Sequence, residues 1–194
     1  MPALTKRIRA AATDLVEAGG HEGLSMRALG QAVGISPMAI YRHFEDREDL
    51  LDAVAEAGFH RLEAALWRID RSAPPRARVL ALLDAYLEFS LEHPHLFELM
   101  FLTHRKGIRR FPEDFREGRS RAFHELREDV ATCMRTGVFR ADDPLETTLS
   151  LWAHAHGLVS LNRVGRFEDE AGFRAIYGRA LLRFTRGLEG YSPL

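Results

Sequence analysis

Apolar residues recur every three or four positions through most of the chain, and prolines and glycines divide this pattern into helix-length segments. Ser25 and Ser36 stand where helix N-caps are expected, and Gly34 stands where a helix should end. The pattern therefore predicts about nine helices, over about 3–18, 26–33, about 37–44, about 46–71, 77–92, 94–103, 112–135, 144–163 and about 168–188.

Composition supports an all-α fold class. The 194 residues include 26 Leu and 25 Ala but only 8 Val, 6 Ile and 8 Thr, so good helix formers far outnumber β-branched residues. Apolar residues make up 46% of the chain and charged residues 28%, an ordinary globular balance that excludes a disordered chain.

The same sequence argues against a secreted or membrane protein. The single cysteine, Cys133, allows no intrachain disulfide, and we interpret it as inert helix core. The basic start is not followed by an apolar run, so no signal peptide is predicted. The longest uncharged stretch, 147–162, has 16 residues and two histidines, which makes it too short and too polar to span a bilayer. We expect a cytoplasmic protein without a membrane partner.

The segment 24–50 carries the pattern that says most about function. Two short helices joined by a tight turn at Gly34-Ile35-Ser36 are typical of a helix-turn-helix. Ile40 and Phe44 lie four residues apart and should pack inward. The second helix then presents outward a face suited to the DNA major groove, namely Met38, Ala39, Tyr41, Arg42 and His43. The alternative is an ordinary helical hairpin whose polar side chains are merely solvated.

Charge does not decide between these alternatives. The whole chain has a formal net charge of −1, and residues 1–45 contain five positive and four negative side chains. Binding to DNA would therefore require positive side chains focused on one face and a second copy of the reading segment.

The stretch from Ile8 to about Val54 resembles the DNA-binding domain of the TetR family of bacterial transcriptional regulators. The most specific part is a Tyr-x-His-Phe run followed three positions later by a basic residue. The matching positions are Gly23-Leu24-Ser25, Arg27, Leu29, Val33-Gly34-Ile35-Ser36, Ile40-Tyr41-Arg42-His43-Phe44, Arg47 and Leu50-Leu51. One departure is Gly30, where the family usually has alanine, and glycine there should cost about 1 kcal/mol of helix stability.

The resemblance implies three kinds of DNA contact. Contacts with the backbone or the groove edge fall to Ser25 and Arg27. The positions that face the bases are Ser36, Met38 and Ala39, with Arg42 at a variable position that can read a base. The phosphate contacts fall to Tyr41, His43 and Arg47.

The C-terminal half resembles one type of TetR ligand-binding domain, in which a tryptophan is followed by a His-Gly pair. The matching run is Trp152-Ala153-His154-Ala155-His156-Gly157-Leu158. Together the two resemblances imply a DNA-binding domain over 1–46 and a ligand-binding and dimerisation domain over 47–194. Helix 46–71 would connect them, and Pro74-Pro75 marks a break between the two functional regions.

The predicted helix 144–163 is apolar on two faces, whereas a peripheral helix needs only one. One face consists of Leu145, Leu149, Trp152 and Val159, and the other of Leu151, Ala155 and Leu158. We therefore expect this helix to pack on its own core and on a partner in a homodimer, beside the last helix. The alternative is central burial in a monomer. A dimer would place two reading heads about 34–36 Å apart, or a multiple of that distance, on a palindromic operator.

Residues 79–156 are expected to contain a pocket for a small, mostly apolar effector. Candidate apolar walls are Tyr86, Phe89, Phe97, Met100, Phe101, Phe123 and Trp152, although ordinary core packing is the alternative for each. Arg119, on the apolar side of its predicted helix, could pair with an acidic ligand, and the alternatives are that it extends to solvent or pairs with a glutamate. His156 could donate to a ligand or be a satisfied core histidine. Helix 46–71, as the only continuous link between head and pocket, is the expected lever.

No cofactor, metal or catalytic site is expected. No pair of histidines has the three- or four-residue spacing of helical zinc sites. The chain contains no P-loop, no G-x-S-x-G elbow, no H-E-x-x-H and no G-x-G-x-x-G. The sequence therefore favours a DNA-binding repressor over an enzyme, and also over a helical interaction module that does not bind DNA.

Overall fold

The computed structural model describes residues 2–190, and every regular element in that range is an α-helix. The ten described helices are α1 (Pro2–Gly19), α2 (Met26–Val33), α3 (Pro37–Ile40), α4 (Arg47–Leu66), α5 (Pro75–Glu92), α6 (Pro94–Phe101), α7 (Glu113–Arg116), α8 (Arg121–Arg135), α9 (Pro144–Arg163) and α10 (Glu170–Gly187). The all-α prediction is confirmed.

The chain forms two compact units. The first, called here the head unit, contains the chain up to Ala64 together with Phe89–Ile108. The second, called the effector unit, contains Ala65–Glu88 and the chain from Arg109 onward. Both α4 and α5 contribute residues to both units. The expectation that one helix after residue 46 is the only continuous link is therefore wrong.

The first three helices of the head unit pack around a small apolar core. Ile8, Leu29 and Ile40, from α1, α2 and α3, are completely buried. The first turns of α1 also hold the ends of the other two helices, because Arg7 donates to the carbonyl of Val33 at 3.2 Å. The hydroxyl of Thr5 lies 2.8 Å from Nδ1 of His43.

Cap chemistry sets the bounds of α2 and α3. The hydroxyl of Ser25 accepts from the backbone N–H of Ala28 at 3.1 Å, which confirms the predicted start of α2. The hydroxyl of Ser36 does the same for Ala39 at 3.3 Å. Regular α3 ends at Ile40 rather than near 44, because residues 41–43 form a turn. The N–H of Phe44 still donates to the Ile40 carbonyl at 3.1 Å, so the inward register continues.

The predicted helix 112–135 is wrong, because the structure breaks it into α7 and α8. Gly118, with φ +72°, adopts a left-handed backbone conformation that ends the first piece. Arg119 consequently lies in the connection and not on the apolar side of a helix. The predicted helix 46–71 also ends early, at Leu66.

The core of the effector unit lies among α5, α8, α9 and α10. Leu151, Ala155 and Phe173 have no exposed surface. The hydroxyl of buried Tyr177 donates to the carbonyl of Leu83 at 2.8 Å, which ties α10 to α5.

A close approach of backbone to backbone explains why position 30 is glycine. A Cβ atom at Gly30 would lie 2.7 Å from the carbonyl oxygen of Ile35, and real Cβ atoms essentially never come so close. The same glycine accepts both turn N–H groups, from Gly34 and Ile35, at 2.9 Å. Gly30, where the family usually has alanine, therefore allows the turn to pack closely against α2.

We predict that Gly30→Ala destabilises the protein, by about 1–3 kcal/mol, because the turn must move to admit the methyl group. Helix propensity alone gives the opposite sign, a gain of about 1 kcal/mol. Chemical denaturation of the purified variant measures the difference. Gly19→Ala is the matched control, since nothing lies within 4 Å of a Cβ there. A Gly30→Ala variant more stable than the parent would contradict the close contact.

Candidate functional site

The turn and helix over residues 34–44 divide cleanly into an inward and an outward face. Ile40 is completely buried and Phe44 is 6% exposed, as the sequence predicts. Met38 is 70% exposed and Tyr41 49% exposed, and Arg42 next to them also lies in solvent. The face predicted to read DNA is therefore accessible.

The remaining predicted contact residues lie at the edges of this face. Ser25, Arg27 and Ser36 are exposed, and Ala39 is half-buried. The two serine hydroxyls already accept cap hydrogen bonds, and each retains its O–H as a donor. A donor hydroxyl is the group that a phosphate oxygen can accept from.

The contact with α1 orients His43. Its Nδ1 lies 2.8 Å from the hydroxyl of Thr5, so Nε2 is the ring nitrogen that can point toward a phosphate. Thr5 is a positioning residue that sequence reasoning missed, because 38 residues separate it from His43.

Arg47 does not have the environment that a free phosphate clamp requires. Its Nε donates to the carbonyl of Leu24 at 2.9 Å, and a terminal nitrogen donates to the carbonyl of His21. The side chain therefore fixes the α1–α2 connection to the start of α4. Arg47 is therefore a positioning residue for the reading head, and its contact with a DNA phosphate stays a prediction.

A lysine partly neutralises the acidic start of α4. Asp46 accepts from the backbone N–H of Asp49 at 2.8 Å, and this bond, followed by Lys106, holds the pKa of the Asp46 carboxyl below its usual range. The ammonium group of Lys106 lies 2.9 Å from Asp46 and 3.3 Å from Glu48. These two negative residues beside the reading head thus receive a positive partner from the segment after α6.

Five ring side chains of the effector unit form a contiguous group, called here the aromatic cluster: Tyr86, Phe115, Phe123, Trp152 and His156. The tyrosine hydroxyl lies 2.7 Å from Nδ1 of His156. Ring centroids of Trp152 are 5.5 Å from His156, 6.3 Å from Phe123 and 6.4 Å from Phe115. Phe115 was not among the predicted wall residues.

The polar groups of the aromatic cluster are neutral at physiological pH. Burial raises the pKa of the Tyr86 hydroxyl, and an indole hydrogen bond from Trp152 only partly offsets this. Desolvation lowers the pKa of His156, so its imidazole stays uncharged. The cluster can therefore exchange hydrogen bonds but supplies no charge for an ionic ligand.

Four of the predicted wall residues belong to the head unit instead. Phe89, Phe97, Met100 and Phe101 fall within the 89–108 segment. Phe97 is completely buried, and the ring of Phe101 packs edge-on against Phe59 of α4 at 5.3 Å. A Cβ at Gly58 would lie 2.5 Å from the sulfur of Met100, so α6 approaches α4 closely there.

Arg119 does not lie on the apolar side of a helix, where the sequence predicts it, but takes the alternative position in solvent beside acidic residues. Its side chain is 63% exposed, and its guanidinium pairs with Asp114 at 2.9 Å and Glu117 at 2.8 Å. The glycine break at 118 moves it off the apolar side of the helix and onto the surface.

The two apolar faces predicted for α9 are only partly buried within this chain, because Leu149, Trp152 and Leu158 are half-buried. Leu145, Leu151 and Val159 are buried, and Trp152 belongs to the aromatic cluster. The face left uncovered is a third one, formed by Ala153, Gly157, Leu161 and Val164. The sequence missed it because alanine and glycine are too small to mark an apolar stripe.

No group of three or more His, Cys, Asp or Glu side chains in residues 2–190 is arranged to hold a metal ion. None of the helices described is both long and apolar enough to cross a membrane.

Comparison with known proteins agrees with this arrangement. Residues 8–54 match the family model for bacterial regulatory proteins of the tetR family, and residues 79–184 match that of the tetracyclin repressor-like C-terminal domain. Fold and reading head together define a helix-turn-helix transcriptional regulator. More particularly, the chain belongs to the TetR family, whose members are non-enzymatic DNA-binding proteins.

Individual proteins are similar to this chain in sequence or in fold. The class A tetracycline repressor protein from transposon 1721 of Escherichia coli is 32% identical over 99 residues, which cover 51% of this chain and 40% of that protein. A protein of unknown function from Rhodococcus sp. RHA1 is 34% identical, with 96% of both chains covered and a TM-score of 0.79. The TetR family regulator PfmR from Thermus thermophilus is 25% identical over 95% of this chain and all of that one, with a TM-score of 0.63.

We predict that Arg47→Ala lowers both stability and DNA binding, whereas Arg42→Ala lowers DNA binding alone. Loss of Arg47 leaves two carbonyl groups without their charged donor, which should cost about 1.5–3 kcal/mol of stability. Exposed Arg42 makes no such contribution. Thermal denaturation and titration of labelled duplex DNA separate the two effects. Unchanged stability in Arg47→Ala would restore the role of a free phosphate clamp.

Proposed function

We propose that this TetR-family regulator is a ligand-responsive repressor that binds a palindromic operator as a homodimer. A small, mostly apolar and uncharged effector releases it from DNA. The observation that carries the proposal is the orientation of the reading segment, in which Ile40 and Phe44 are buried and Met38, Tyr41 and Arg42 face solvent.

Two uncovered apolar surfaces support the homodimer. On α9, Leu161 is 47% exposed and Val164, at its C-cap, 69% exposed, and Ala153 and Gly157 continue the same face. On α10, Ile176 and Leu182 are also exposed. Apolar faces on two long helices favour a four-helix contact with a second copy, which would supply the second reading head that the weak charge of one head requires.

The aromatic cluster supports an uncharged aromatic effector. Trp152, Phe115 and His156 are only half-buried, so their rings retain surface that a flat ligand could cover. The neutral Tyr86–His156 pair offers hydrogen bonding without charge. An anionic ligand would lose its hydration there, and Arg119 would not compensate for this loss, because its guanidinium is held in its own ion pairs.

Release follows from linkage between the two ligands. If the effector favours a conformation in which the two heads do not match the operator, DNA weakens effector binding by the same factor. Both α4 and α5 can transmit the change, since each contributes to both units.

We predict that the chain sediments at twice its 22.0 kDa mass at micromolar concentration and retards the duplex upstream of its own gene. Changing Leu161 and Val164 together to aspartate should give monomers that bind this duplex at least about tenfold more weakly, because one half-site contact is lost. Sedimentation equilibrium and gel retardation measure the two quantities.

Trp67→Asp is the matched control for that experiment, since Trp67 is 61% exposed in the same unit but lies outside α9 and α10. It should remain dimeric and bind DNA. Wild-type chain that sediments only as a monomer, or a monomeric variant with undiminished DNA affinity, would contradict the dimer.

We also predict that phenol, as an uncharged aromatic probe, quenches the fluorescence of Trp152 and weakens operator binding, whereas benzoate does so far less. The Trp67→Phe background isolates the Trp152 signal. Tyr86→Phe should weaken phenol binding about fivefold, the loss of one hydrogen bond. Tighter binding of benzoate than of phenol would contradict an uncharged effector, and phenol binding that left DNA affinity unchanged would contradict the linkage.

A further inference from the structure

Met38 is the most exposed large apolar side chain among residues 2–190, at 70%. It occupies the second position of α3, between the Ser36 cap and buried Ile40. The side chain therefore adds little to the core of the head unit.

A single exposed apolar residue is ordinary on a protein surface, so the residues around Met38 determine whether its exposure indicates a function. Met38 shares its face with Tyr41 and Arg42, which can donate hydrogen bonds to DNA. A thioether donates no hydrogen bond and accepts only weakly, so Met38 cannot bind a phosphate as they can. A contact between Met38 and DNA would therefore be with an apolar group.

The major groove offers one such group. Base edges there present hydrogen-bond donors and acceptors, except for the C5-methyl group of thymine. Resting on the proposed DNA binding, we propose that Met38 is a specificity-determining residue that packs against a thymine methyl group in each half-site. Its flexible, polarisable side chain suits a contact made by shape and dispersion.

The proposed contact depends on a single methyl group of the DNA. Replacing thymine by uracil removes this methyl and leaves the hydrogen-bonding groups of the base pair unchanged. Burial of one methyl group corresponds to about a fourfold change in affinity. The affinity of the wild-type chain for the operator should therefore fall about fourfold when one half-site carries uracil, and further when both half-sites carry it.

The test begins with duplexes that the full wild-type chain selects from a random pool. Each thymine of the selected site is then replaced by uracil in turn, and affinities are measured for wild type, Met38→Ala and Leu102→Ala. Leu102, 47% exposed at the C-cap of α6, provides a matched loss of exposed apolar surface in the same unit. Circular dichroism verifies that the Met38→Ala variant is folded.

The expected result is one thymine per half-site whose uracil replacement weakens wild type and Leu102→Ala alike but leaves Met38→Ala unaffected. Wild type indifferent to every uracil, or a Met38→Ala variant that retains the full discrimination, would overturn this assignment and leave the proposed DNA binding intact. Selection of no sequence at all would overturn the proposed function, and this assignment with it.

Discussion

The DNA-reading surface depends on the burial of two side chains four residues apart. Ile40 and Phe44 are both buried in the head unit, and this fixes the rotation of the segment that carries Met38, Tyr41 and Arg42. Helical geometry allows only one face to meet the core, so everything on the other side is presented together. Tyr41 and Arg42 need no contacts of their own to be held outward, whereas His43 is oriented by Thr5 as well.

A second constraint is the tightness of the turn between α2 and α3. Gly34 ends α2 with φ +77°, a conformation that favours glycine, and Gly30 lets the Ile35 carbonyl approach within a distance that no Cβ permits. Two glycines thus set the angle between the two short helices. From the sequence, Gly30 looks like a weakness of α2, but in the fold it belongs to the turn.

Local chemistry was predictable from the sequence, and long-range partners were not. The caps of α2 and the bounds of α9 depend on neighbouring residues, so both were predicted correctly. Arg47 contacts carbonyls 23 and 26 residues away, and no local pattern indicates that use. Arg119 was misplaced because apolar spacing continues across Gly118, while the backbone conformation of that glycine breaks the helix. The assignment of α6 to the head unit likewise depends on packing between distant segments.

The place of α6 in the head unit affects how an effector signal would reach DNA. Arg105, 5% exposed in its side chain, donates to the carbonyls of Leu99 and Met100 at the end of α6 and pairs with Asp52 of α4 at 2.9 Å. A buried guanidinium is costly to leave unpaired, so the end of α6 and this turn of α4 should move as one body. Arg47, at the first position of α4, donates hydrogen bonds to two carbonyl groups of the α1–α2 connection. A shift of α6 would therefore move α4 through Arg105, and α4 would move the α1–α2 connection of the reading head through Arg47. Any bending of α4 would add to this displacement.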